Sequence, residues 1–177
     1  MTIVALNETA GLPSAPDVDA AAARGAGDDA LALVEAGVVR AVAALWWRDV
    51  PRRRGRMAGF VGRLGGDGSR SLTAVLEAAV AALAVRGVEV VFAPVDGSTW
   101  GRYRAVVASS PRPPFAFEPI TPAFWPEALA AAGFAAVEHY VSARHRELDR
   151  PRANEAALAR RFADRGLTTR GLDPHDA

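Results

Sequence analysis

Apolar and polar positions change period several times along this chain, and each change marks an element. From Leu72 to Arg86 the residues Leu72, Val75, Leu76, Ala79, Val80 and Leu83 recur at helical spacing, which predicts a helix with one buried stripe. Ser71 or Ser69 stands where an N-cap belongs, and Gly87 comes next as the stop. Val88 to Ala93 is apolar almost without interruption and ends at Pro94, the pattern of a strand covered on both faces. Upstream, Val38 to Trp47 and Met57 to Leu64 read as two strands of a hairpin, joined by the polar loop Arg48 to Arg56. Gly65 to Ser69 reads as a loop. Thr2 to Leu6 is a short first strand and Val18 to Arg24 a short helix. Asp28 or Asp29 is placed to cap a second short helix through Glu35, closed by Gly37.

Beyond the loop Asp96 to Arg104, Tyr103 to Ser109 fits either a short helix or an extended piece. Pro111, Pro113 and Pro114 impose an irregular connection, and Phe115 to Pro119 runs extended. Thr121 caps and Pro122 opens a helix reaching about Ala132, where Gly133 stops it. Ala135 to Ala143 alternates Val137, His139 and Val141 with Glu138 and Tyr140, which predicts a strand. Residues 144–177 carry eight arginines and six acids, with one modest helix from about Asn154 to Arg165 and a mobile end. The pattern predicts an α/β domain over residues 1–145, with 146–177 an arginine-rich helical tail or linker.

Composition narrows the chemistry. Half of the 177 residues are apolar, enough for a sizeable core. With 21 basic and 20 acidic residues the formal charge is +1, so no overall field favours nucleic acid as a partner. All the Lys and Arg positions are arginine; Schiff-base lysines and a P-loop lysine are excluded. Cysteine is absent, which removes disulfides, thiolate nucleophiles and sulfur-ligated metals. No basic leader precedes an apolar run, and no such run approaches the roughly 20 residues that span a bilayer. A cytoplasmic protein with no membrane partner is expected. His139, His145 and His175 complete no ligand spacing, so no metal is expected, and no Gly-x-Ser-x-Gly elbow is present.

Three groups of residues could carry function. Gly65, Gly66, Gly68 and Ser69 precede a helix start, where free amides and the helix dipole favour a phosphate; Arg63 or Arg70 would add a charge. An ordinary glycine-rich turn is the plain alternative. Asp96 begins an Asp-Gly turn and can accept backbone amides around it. Ser98 or Thr99 can cap the segment after that turn, and Trp100 and Tyr103 share a face if the segment is helical. Otherwise the two aromatics pack the loop over the sheet edge. Glu118, Glu138 and Tyr140 are candidate proton handlers; Glu118 lies between Phe117 and Pro119, where partial burial favours the protonated carboxyl. The arginines at 48, 52, 53, 54 and 56 form a basic stretch read as solvated surface.

The order Trp46-Trp47, Gly59-Phe60-Val61-Gly62, a helix, then Ala93-Pro94-Val95-Asp96-Gly97-Ser98-Thr99-Trp100 and Tyr103-Arg104 resembles bacterial members of the GNAT acetyltransferase superfamily. Pro114-Phe115, Glu118-Pro119, Gly133-Phe134 and Tyr140 with Ser142 continue the likeness over about residues 38 to 145. The resemblance implies a mixed β-sheet flanked by helices, and acetyl transfer from acetyl-CoA to a small-molecule amine. It places the pyrophosphate cradle on Gly62 to Ser71, and so assigns the cofactor to Arg63, Gly65, Gly66, Gly68, Ser69 and Arg70. Asp96, Ser98, Thr99, Trp100 and Tyr103 would meet the substrate, with Glu118, Glu138 or water as base and Tyr140 as acid. Arg63-Leu-Gly-Gly-Asp-Gly68 departs from the superfamily's Arg/Gln-x-x-Gly-x-Gly/Ala spacing and contains an acid. That departure supports the alternative of a noncatalytic acetyltransferase-like domain that binds a ligand or pairs with another subunit, as a homodimer or with a second GNAT-like half.

Overall fold

The computed structural model describes residues 1–110, 113–116, 118–143 and 154–167. Pro111, Phe117, His145, His175, the rest of 144–153 and the chain end from 168 lie outside them. The chain divides into two compact units, Met1–Ala136 and Val137–Ala177.

The first unit is built on a five-stranded mixed sheet in the order β1-β2-β3-β4-β5. Its strands are β1 (Thr2–Ala5), β2 (Asp29–Glu35), β3 (Val38–Trp46), β4 (Ala58–Gly66) and β5 (Val90–Phe92). Neighbours run antiparallel up to β4, and β5 lies parallel to β4. The parallel step requires a crossover, and the 17-residue helix α2 (Ser69–Val85) supplies it. Leu72, Val75, Leu76, Ala79 and Leu83 of α2 are buried against Leu33, Ala43, Leu45 and Val61 of the sheet. Helix α3 (Trp125–Ala131) lies beside α2, with the Thr73 hydroxyl donating to the Ala128 carbonyl at 3.3 Å. Gly133 ends α3 at φ +86°, as its position predicts. The opposite face of the sheet is closed by Leu6, Ala15, Val18 and the short helix α1 (Ala20–Ala23) over Ala32, Val39 and Val42. Both faces are therefore dry, which accounts for the apolar runs in the central strands.

The expected helix from Asp28 to Glu35 is strand β2. Its capping acid serves a strand end instead: Asp28 Oδ2 accepts the amides of Trp47 at 2.7 Å and Arg48 at 3.0 Å. Ala36 and Gly37 both take positive φ, +51° and +73°, the two-residue turn that matches hairpin twist. A second correction concerns Gly65 to Ser69. Gly65 and Gly66 belong to β4, paired with Val42 and Ala41, and only Asp67 and Gly68 remain between strand and helix.

In the second unit, Glu155–Ala163 forms a helix with no buried residue. No strand forms over 135–143, and the side chains there are exposed. Alternation by itself does not make a strand; the backbone needs a hydrogen-bonded neighbour.

Candidate functional site

Strand β4 brings backbone unusually close to other parts of the chain. A Cβ at Gly62 would run into the Val95 carbonyl and lie 2.6 Å from Asp96 Oδ1. At Gly65 it would come within 3.2 Å of Val42 Cγ2 and 3.4 Å of Val18 Cα, and at Gly66 within 3.1 Å of Leu72 Cβ. Pairing of Ala44 with Gly62 and of Val42 with Gly65 sets Ala43 against both Arg63 and Leu64. This is a bulge, with Arg63 at φ +47°, and it turns the Arg63 amide away from the ladder.

That amide meets Asp96. Past β5 the chain stays on β4, with the Val95 amide donating to the Val61 carbonyl at 2.9 Å. Asp96 Oδ1 then accepts the Arg63 amide at 2.6 Å, and Oδ2 accepts from Arg102 Nε at 3.3 Å. The Asp96 side chain is only 6% exposed. Its own amide donates to the Arg102 carbonyl at 2.7 Å, which closes the loop. Asp96 therefore binds a residue 33 positions away rather than the amides of its own turn.

Gly97 lies under the Trp46 indole, where a Cβ would be 3.1 Å from Nε1. Ser98 Oγ accepts the Trp100 amide at 3.2 Å. The segment is not helical, so Trp100 and Tyr103 share no helical face. Trp100 does not pack over the sheet edge either: it is 99% exposed. Thr99 is exposed, and Tyr103 is half-buried with the Arg104 guanidinium 4.8 Å from its ring centroid.

At the start of α2 the chemistry differs. Asp67 Oδ1 accepts the Ser71 hydroxyl at 2.6 Å and Oδ2 accepts Arg40 Nη1 at 3.2 Å. Its amide donates to the Arg40 carbonyl at 3.0 Å. Ser69 and Ser71 do not cap the helix, whose N-cap position, Gly68, offers no side chain to the first amides. Two shallow depressions of about 510 and 200 Å³ flank this end. Ser69, Arg70, Thr73, Glu77 and Glu127 border the larger; Arg40, Asp67, Gly68, Arg70 and Ser71 border the smaller. Uncapped amides with Arg40 and Arg70 suit a small anion, while Asp67, Glu77 and Glu127 oppose a highly charged one. Arg63, Gly65 and Gly66 border neither depression.

Glu118 closes a local turn, its Oε2 accepting the Phe115 amide at 2.8 Å and its amide donating to the Phe115 carbonyl at 3.1 Å. It borders neither depression. Glu138 and Tyr140 belong to the second unit and are exposed, and with no strand there they share no strand face. Arg40 is a site residue that the sequence reading passes over, and a charged residue within an otherwise apolar strand is the signal that marks it. Among the described residues no cluster of three or more histidines and acids could hold a metal, and no helix is long and apolar enough to cross a membrane.

No protein-family model and no curated protein matches this chain. Among solved structures it is similar to the crystal structure of a mutant of TTHA1254 from Thermus thermophilus. The two are 19% identical, with 66% of this chain and 69% of that one covered and a TM-score of 0.41.

Proposed function

We propose that the chain is an acetyltransferase-like domain that does not transfer acetyl groups itself and acts as a ligand-binding or subunit-pairing module. The observation that carries this reading is the occupation of Gly62–Gly66. This is half of the stretch that the resemblance assigns to the pyrophosphate, and here it is tied up as sheet. Gly65 and Gly66 pair with β3, the Arg63 amide is held by Asp96, and Val95 fills the space above Gly62. A diphosphate cradle needs several free peptide amides converging on one point.

A second reading, acetyl-CoA-dependent N-acetylation of a small amine, is favoured by the uncapped start of α2 beside Arg70. There Gly68, Ser69 and Arg70 would hold the phosphates, and Glu118, Glu138 or Tyr140 would handle the proton. Calorimetric titration with acetyl-CoA separates the two. The first reading predicts no heat and no thermal shift at about millimolar cofactor, a level at which a binding energy of roughly 4 kcal/mol would register. Micromolar binding that is lost in Arg70→Ala would instead support the second, which acetyl transfer to an amine would then have to accompany.

A further inference from the structure

We propose that Asp96 is an internal ligand: the Arg63 amide and the guanidinium groups of Arg63 and Arg102 form an oxyanion site that the chain closes with its own carboxylate. The carboxylate lies inside at 6% exposure, while the side chains of Arg63 and Arg102 reach the surface at 41% and 57%. Oδ1 takes the Arg63 amide at 2.6 Å and Oδ2 takes Arg102 Nε at 3.3 Å. Oδ2 stands 3.6 Å from Arg63 Nε, too far for a hydrogen bond. That nitrogen is buried with no hydrogen-bond partner among the described residues. Two guanidinium groups against one carboxylate also leave one positive charge at the site. The donors thus exceed what their present occupant uses, in number and in charge, and a free carboxylate is the smallest ligand that fits them.

The contact is autoinhibitory in form. While Asp96 is seated, the Arg63 amide is offered to no other anion, and Gly62 admits the Val95 carbonyl, which accepts the Gly97 amide at 3.0 Å and so turns the chain at Asp96. This deepens the noncatalytic reading above and rests on it for the meaning of the blocked β4 segment.

The test is replacement of the internal ligand by an external one. Asp96→Ala removes the carboxylate and leaves room for formate; Asp96→Asn fills the same room with a neutral amide. Thermal unfolding of the full chain is compared in sodium chloride and sodium formate, each at about 100 mM, so that even a weak ligand stabilises measurably. In chloride Asp96→Ala melts roughly 5–10 °C below the wild type, and formate restores about half of that shift or more. Formate acts like chloride on the wild type and on Asp96→Asn. If Asp96→Ala is unfolded in chloride, the same comparison reads the return of far-UV circular dichroism on adding formate. An Asp96→Ala response that is equal in the two salts overturns the proposal, as does an equal formate response in Asp96→Asn. Neither result touches acetyl-CoA binding by the wild type, which is read separately.

Discussion

The missing side chain at Gly62 and the carboxylate of Asp96 act on one contact from opposite sides. Gly62 lets the Val95 carbonyl approach, and Asp96 fastens the approach to the Arg63 amide. Adding a methyl group at Gly62 forces backbone against backbone, where no flexible side chain can yield. Gly62→Ala should therefore cost at least about 2 kcal/mol, as overpacking in a dry site does. Trp100 sits only a few residues beyond Asp96, yet it is 99% exposed, and Trp100→Ala should change stability by less than about 0.5 kcal/mol. Urea unfolding of both variants checks the contrast. A large loss at Trp100 would mean that the loop packs through its aromatic and not through its acid.

Several elements are legible in the amino-acid pattern because their period and their burial agree. The stripe Leu72, Val75, Leu76, Ala79 and Leu83 is the buried face of α2, and the β3–β4 hairpin keeps the expected order; β5 is parallel as expected but is a half-buried strand at the sheet edge, not one covered on both faces. Strand β2 is illegible for a physical reason. Asp28 ahead of Ala and Leu satisfies both a helix cap and a strand-end cap, and only the position of β3 decides which amides the acid meets. The turn after β2 gives a direct check of its hairpin geometry. Ala36 holds φ +51° in an exposed turn, a conformation that Asn adopts more readily than Ala. Ala36→Asn should stabilise the protein by roughly 0.5–1 kcal/mol; a loss of stability in urea unfolding would contradict the turn. The candidate site is less legible than the fold. Arg63 and Asp96 are 33 residues apart, and Arg40 and Asp67 are 27 apart. Which acid meets which donor depends on strand register and the bulge at Arg63, and neither has a signature in spacing. Glycine at 65 and 66 points to a loop when read locally, whereas close approach of Val18 and Leu72 is what requires it.

On the scale of the first unit as a whole, a sheet covered on both faces holds the backbone of β4 as part of its interior. Between Gly62 and Gly66 the backbone is built into the sheet and the Arg63 amide is held by Asp96, while the start of α2 has no side-chain cap. A net charge of +1 provides no wider field to draw a polyanion to that stretch. Whether the β4 segment is closed to an acyl donor is therefore the decisive question. Nuclear magnetic resonance of the ¹⁵N-labelled chain, titrated with acetyl-CoA to about millimolar concentration, reads this at the amides of Arg63, Gly65, Gly66, Ser69, Arg70 and Ser71. The noncatalytic reading predicts that none of these signals moves; a closed β4 predicts that those of Arg63, Gly65 and Gly66 stay in place and that the Arg63 amide remains protected from hydrogen exchange throughout. Saturable shifts at Arg63, with loss of its protection as cofactor is added, would contradict it.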